Sequence, residues 1–116
     1  MALKVLLVAE LTGGVGVYGR NLAHGLDAMG VEVTALTPTP ELSTAGRAIA
    51  ARRFSGRGRW LPQAVSFARR VKEHGDEFDV IHFTDARYAA FVRGGKTPLV
   101  GTMNDYFYAI TGWFSG

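Results

Sequence analysis

The sequence contains no cysteine, so neither a disulfide scaffold nor thiolate chemistry is open to it, and this absence fits a reducing compartment. It has no apolar window near the roughly 20 residues that a bilayer-spanning helix needs. The first apolar run, Val5-Leu6-Leu7-Val8-Ala9, stops at Glu10 with no small-residue cleavage site beyond a long apolar stretch, and it reads as a strand rather than a signal peptide. There is no low-complexity segment and no internal repeat. Histidine, aspartate and glutamate nowhere recur at metal-ligand spacing. Of the three histidines, His24 and His74 fall on polar helix faces, and His82 lies in an apolar run where a satisfied core side chain is the default reading. Charged residues make up 20% and apolar residues 47%, an ordinary globular balance that excludes disordered, collagen-like and coiled-coil classes. A chain of 116 residues is one domain at most, and long enough to bury a core.

What is present alternates between strand and helix. Leu3 to Ala9 is continuously apolar, the pattern of a strand covered on both faces of a parallel sheet. A glycine-rich turn, Glu10 to Gly16, follows. Beyond it Tyr18, Leu22, Leu26 and Met29 mark one face of a helix, and Gly30 sits where a left-handed C-cap is expected. Val31 to Leu36 is the next strand, and Pro38 and Pro40 open a loop because each removes a ladder donor. Between residues 41 and 60 the pattern is weak: Ala45 to Ala51 suits a helical turn, Arg52-Arg53-Phe54 a short strand, and residues 55–59 a loop. Leu61, Ala64, Val65, Ala68 and Val71 then mark one face of a second helix, with Gln63, Ser66, Arg70 and Glu73 opposite and Gly75 closing it. Phe78 to Phe83 reads as a strand, Ala86 to Val92 as a short helix, and Pro98 to Met103 as another strand. The expected fold class is therefore α/β, a three-layer Rossmann-like domain with a mainly parallel sheet of about five strands. Ligands of such sheets bind beyond the carboxyl ends of the strands. Those ends are Glu10 to Gly16, Thr37 to Pro40, Thr84 to Arg87 and Asn104 to Tyr106.

The glycine turn is the first candidate site. Gly13, Gly14 and Gly16, with Val15 between them, clear side chains from the point where backbone meets a helix N-terminus, leaving amides and a positive dipole end for a phosphate or sugar hydroxyl. The spacing is neither the dinucleotide fingerprint nor a P-loop, and a tight turn without ligand fits the same residues. Asp85 and Arg87 sit just past a strand end, as site residues or as a cap and a solvated side chain.

Three pieces taken together resemble one family. Thr12-Gly13-Gly14-Val15-Gly16-Val17-Tyr18-Gly19-Arg20-Asn21-Leu22-Ala23, then Gly30 to Pro38, then Asp79-Val80-Ile81-His82 are similar in order and spacing to the N-terminal half of the retaining glycosyltransferase family called group 1 or family 4, of the GT-B fold. The resemblance spans positions 3 to about 108. It implies transfer of a sugar from a nucleotide-diphosphate donor to an acceptor with retained configuration, without cofactor or essential metal. It also implies that residues 1–116 form a single partial, acceptor-side domain whose donor-binding C-terminal partner lies elsewhere, in cis or in trans. The family's histidine after the last strand is replaced here by Asn104, in Thr102-Met103-Asn104-Asp105-Tyr106. Asparagine can donate to a sugar hydroxyl but cannot take up a proton. Asn104 and Asp105 are accordingly the expected residues at the reaction centre, with Tyr106 beside the substrate, although both Asn104 and Asp105 also suit a helix cap.

Eight of the thirteen lysines and arginines lie between Arg47 and Lys72. Arg52, Arg53, Arg57 and Arg59 in that stretch suit contact with an anionic membrane surface or a phosphorylated acceptor, and equally a solvated loop. Nucleic acid is not an expected partner, since the basic residues alternate with glycine and no recognised motif is present. The last residues, Asp105 to Phe114, are densely aromatic, which points to burial against further chain, a second polypeptide or another copy. The expected location is the cytoplasm, with peripheral membrane contact as the second reading of the basic loop. Two other functions compete: a non-catalytic binding or regulatory module on the same scaffold, and an unrelated flavodoxin-like or receiver domain, which lacks support because Glu10 is followed by glycines rather than an acidic cluster or flavin loop.

Overall fold

Val5, Leu6, Leu7 and Val8 are all buried, and the reason is their place at the middle of a sheet. In the computed structural model, which describes residues 2–102, five strands form that sheet: β1 (Lys4–Val8), β2 (Glu32–Thr37), β3 (Arg47–Ala50), β4 (Val80–Phe83) and β5 (Leu99–Gly101). Their order is β3-β2-β1-β4-β5, and every neighbouring pair is parallel. Helix α1 (Gly13–Ala28) joins β1 to β2, and α2 (Trp60–His74) lies between β3 and β4. Alternate residues of β1 feed the two layers. Leu6 and Val8 pack with Leu36, Ala64, Phe67, Ile81 and Phe83 on the α2 side, whereas Leu7 packs with Ala23 and Val33 on the α1 side. The fold is the expected α/β, Rossmann-like arrangement. Because β1 connects to β2 on one side while β4 pairs with its other edge, the strand order reverses between β1 and β4, which opens a crevice at their carboxyl ends.

Several elements differ from the sequence expectation. Residues 47–50, expected within a helical turn, form β3, and Arg52 to Phe54 form no strand. The connection from β2 to β3, residues 38–46, is shorter than the dozen or more residues usual between parallel strands. It contains one 3-10 turn, Pro40–Leu42, and then runs along α1, where the Thr44 hydroxyl donates to the Arg20 carbonyl at 2.8 Å and Ala45 packs near Leu7 and Ala23. That extended passage covers the sheet where a helix usually would. The expected helix from Ala86 to Val92 is a 3-10 turn confined to Ala86–Ala89.

Helix α2 is rotated from its expected face, whereas α1 keeps Leu22 and Leu26 against the core and turns out only Met29 of the expected four. Along α1 the residues pressed against the sheet are Gly16, Gly19 and Ala23, while Met29 is 78% exposed. Small residues let the helix axis approach, and a periodicity built on large apolar side chains misses them. Along α2 the inward residues are Gln63, Ala64, Phe67 and Val71, and Leu61 and Val65 face outward. Phe67 stacks edge-on against Tyr88 with ring centroids 5.2 Å apart, and this aromatic pair sets the rotation. Gln63 is carried inside with it. Its Nε2 donates to the Arg52 carbonyl at 3.0 Å, while its Oε1 is buried without a partner among the described residues.

Candidate functional site

The glycine turn meets α1 at the crevice. Gly13 has φ +69°, a conformation that favours glycine, and it already belongs to the first turn of the helix rather than to a loop before it. Thr12, the N-cap, is extended and its hydroxyl makes no capping bond, and no acidic residue stands in the first turn. The amides of Gly13, Gly14 and Val15 therefore have no capping side chain as acceptor, while the Gly16 amide donates to the Thr12 carbonyl at 3.1 Å. Gly16 has a different role from Gly13 and Gly14. A Cβ at Gly16 lies 2.2 Å from both the carbonyl carbon and the oxygen of Leu11, whereas Cβ positions at Gly13 and Gly14 meet nothing within 4 Å. Gly16 thus lets α1 sit on the Leu11 backbone, whose carbonyl also accepts from the Arg20 guanidinium, and Gly13 and Gly14 leave the front of the helix open. Val15 is half-buried between them.

Opposite this helix end stands a trio that the sequence does not reveal. Glu10, two residues past β1, accepts from the Tyr88 hydroxyl at 2.9 Å and lies 3.7 Å from the Arg59 Nε. Burial first, and then the Glu10 carboxylate that accepts its hydrogen bond, together push the Tyr88 phenol up to about 12. Tyr88 consequently stays a donor at neutral pH and fixes the carboxylate in place. Glu10 had a positional signal, since it directly follows a buried strand at the carboxyl edge. Tyr88 had none, because it reaches Glu10 across the sheet from a distant segment.

The four arginines of the basic loop have different surroundings. The Arg52 main chain is tied to α2, its amide donating to the Ser66 hydroxyl at 3.2 Å and its carbonyl accepting from Gln63, and its guanidinium lies 5.3 Å from the centre of the Phe54 ring. Arg57 and Arg59 occupy the 3-10 turn that leads into α2. Arg53 and Arg59 line a cleft of about 160 Å³ together with Glu10, Leu11, Thr12, Pro38, Thr39, Phe54 and Ser55. The carboxyl ends of β1 and β2 form one wall of this cleft and residues 53–59 the other.

Asp85 and Arg87 engage one another. Asp85 Oδ1 accepts from the Arg87 amide at 3.1 Å, which caps the 3-10 turn, and the guanidinium grips both carboxylate oxygens at 2.6–3.2 Å. Asp85 is thus the expected cap, and Arg87, expected as a solvated side chain in that reading, is paired with it at the end of β4. On the α1 side of the sheet, His82 Nε2 is 2.7 Å from the Thr102 hydroxyl, which is also 3.2 Å from the Tyr18 hydroxyl. Burial lowers the His82 pKa. This cluster ties α1, β4 and the end of β5 together, so His82 is a satisfied structural side chain. Asn104, Asp105 and Tyr106 lie outside the described residues. Among the described residues no group of three or more His, Asp or Glu side chains could hold a metal ion, and no helix is long and apolar enough to cross a membrane.

The crevice, the glycine-opened helix end and the basic cleft are joined by a sequence-wide similarity. The profile described as Glycosyltransferase Family 4 matches residues 12–115. The chain belongs to glycosyltransferase family 4. The family 4 domain also has a solved structural counterpart, the C-terminal domain of a hydrogenase from Pyrococcus furiosus, with a TM-score of 0.59 and 14% identity over 87% of this chain and 92% of that one. At that identity the likeness concerns the fold alone. No curated protein matches the chain.

Proposed function

We propose that this family 4 domain is the acceptor-side part of a glycosyltransferase that moves a sugar from a nucleotide-diphosphate donor to an acceptor with retention, working with a donor-binding domain in cis or in trans. The observation that carries the reading is the carboxyl edge of the sheet, where a helix N-terminus without a side-chain cap, opened by Gly13 and Gly14, adjoins through its N-cap Thr12 a cleft lined by Glu10, Arg53 and Arg59. In this reading the amides of Gly13, Gly14 and Val15 approach the donor diphosphate, for which a helix N-terminus is a suitable partner, while Gly16, whose amide donates to the Thr12 carbonyl, lets the helix sit close. The cleft beside them takes the acceptor. Asn104 and Asp105 flank the transferred sugar, with Tyr106 against it, and the Asp85–Arg87 pair borders the site from β4. The sugar itself is the substrate, and the protein supplies positioning and hydrogen bonds rather than a cofactor.

A second reading, a binding module without catalysis, is favoured by one observation, the asparagine at position 104 where the family pattern has a histidine. One experiment addresses both. The 116-residue chain is incubated with nucleotide-diphosphate sugars and candidate acceptors, alone and with a family donor domain added, and the anomeric configuration of any product is read by NMR. Product with retained configuration only when the donor domain is present is the expected result. Turnover by the chain alone at an ordinary enzyme rate of roughly 1 per second or more would overturn the half-site reading. Nucleotide-sugar binding with no product under either condition would favour the non-catalytic module.

A further inference from the structure

We propose that the molecule held in the cleft between residues 10–12, 38–39 and 53–59 carries a phosphate monoester. This rests on the acceptor-side reading above and names the class of acceptor. Four features of the cleft lead to it. Its volume, about 160 Å³, is well below the roughly 300–1,000 Å³ of pockets that enclose whole drug-sized ligands, so it suits a head group rather than a complete nucleotide sugar. Two guanidinium groups, Arg53 and Arg59, line it against one carboxylate, Glu10, which leaves an excess of positive charge. Only half of that charge is used internally: Arg59 Nε pairs with Glu10 at 3.7 Å, whereas Arg53 makes no ion pair or hydrogen bond among the described residues. Finally, Thr12 and Ser55 share the lining with Thr39, whose own hydroxyl lies against that of Thr37 at 3.4 Å, and the first turn of α1 adjoins the cleft without an acidic side chain.

This donor set fits a phosphate better than a carboxylate or a neutral sugar. A phosphate monoester presents three strong acceptor oxygens and close to two negative charges, and planar guanidinium groups bind such oxygens in pairs. Glu10 has a positioning role here. Held by the Tyr88 hydroxyl, it restrains Arg59 at the cleft wall and leaves Arg53 as the arm that closes over the ligand. The phosphate can belong to a soluble sugar phosphate or to a lipid head group, since both present the same oxygens.

The test uses the full 116-residue chain, followed by NMR amide shifts of Thr12, Thr39 and Ser55. Its probes are glucose 6-phosphate, glucose, and phosphatidylcholine vesicles with or without phosphatidic acid. Saturable shifts with glucose 6-phosphate and not with glucose, weakened about tenfold or more by Arg53→Ala and unchanged by Arg57→Ala, are the expected result for a soluble acceptor. Binding only to vesicles containing phosphatidic acid, with the same dependence on Arg53, supports the phosphate site and assigns it to a lipid. Equal weakening by Arg53→Ala and Arg57→Ala overturns the proposal, because the attraction then belongs to the loop's charge as a whole. Equal binding of glucose and glucose 6-phosphate overturns it while leaving the acceptor cleft standing. If no probe shifts these amides, the acceptor cleft falls with it. Unchanged spectra of the unliganded variants establish that each is folded.

Discussion

Gly16 has no room for a side chain, and Gly14 has room but no need of one. The Cβ of an alanine at position 16 lies 2.2 Å from the Leu11 carbonyl carbon and oxygen, both backbone atoms on a buried segment, so α1 or the end of β1 must shift. Gly16→Ala is expected to cost stability at the upper end of the roughly 1–3 kcal/mol typical of overpacking. Gly14→Ala, with nothing within 4 Å of its Cβ and no positive φ, is expected to stay within about 0.5 kcal/mol of the parent chain. Urea denaturation of both variants checks the contrast, and equal effects would mean that the glycines share one role. The sequence placed all three glycines at the site but could not separate their roles, since the separation depends on where Leu11 lies. The Glu10–Tyr88 bond was hidden for the same reason: it joins two segments far apart in sequence, each unremarkable locally.

The central strands β1 and β2 were readable as elements because their burial on both faces leaves continuous apolar runs, as in Val5 to Val8, and β5, although exposed at the other edge, keeps the apolar pair Leu99-Val100. The helix faces were less so. Gly19 packs toward Leu11, Ala9 and Thr84, contacts that depend on small size rather than hydrophobicity, and Phe67 turns α2 so that Gln63 is buried and Leu61 is not. β3 was unreadable because Arg47–Ala50 is an edge strand with mostly exposed residues and no apolar pattern. Where elements meet, the His82–Thr102–Tyr18 cluster gives a pH prediction. Burial lowers the His82 pKa from 6.5, so the unfolded chain takes up the proton first as pH falls. The stability that neutral His82 provides is therefore present above about pH 6.5 and is lost as pH falls through its folded pKa. Denaturation of the parent chain and of His82→Gln across this range should show an acid-side decline in the parent that the variant lacks. Parallel profiles would place the decline elsewhere.

At the scale of the whole molecule, the strand order assigns opposite characters to the two edges of the sheet. The carboxyl edge has the crevice between β1 and β4 and the start of α1. The amino edge has its own, larger cleft of about 400 Å³, lined by Lys4, Asp27, Gly30, Glu32, Gly46, Arg47 and Glu77 among others. Volume alone would favour the amino edge. The charges argue otherwise, since three carboxylates there face two cations and no helix N-terminus adjoins them. The same substitution at each edge tests this. Gly14→Glu and Gly46→Glu change net charge equally, and neither Cβ has an atom closer than 4.0 Å. A carboxylate in the first turn of α1 interacts favourably with the helix dipole, by roughly 0.3–1 kcal/mol, so Gly14→Glu should leave the fold intact or slightly more stable. The same charge would meet a donor diphosphate at close range, where a like-charge pair about 4 Å apart costs up to about 4 kcal/mol at the protein surface. Gly14→Glu is therefore expected to weaken nucleotide-diphosphate binding about tenfold or more, and Gly46→Glu less than about twofold. Isothermal titration of both variants decides the matter, and the reverse order of effects would move the site to the amino edge.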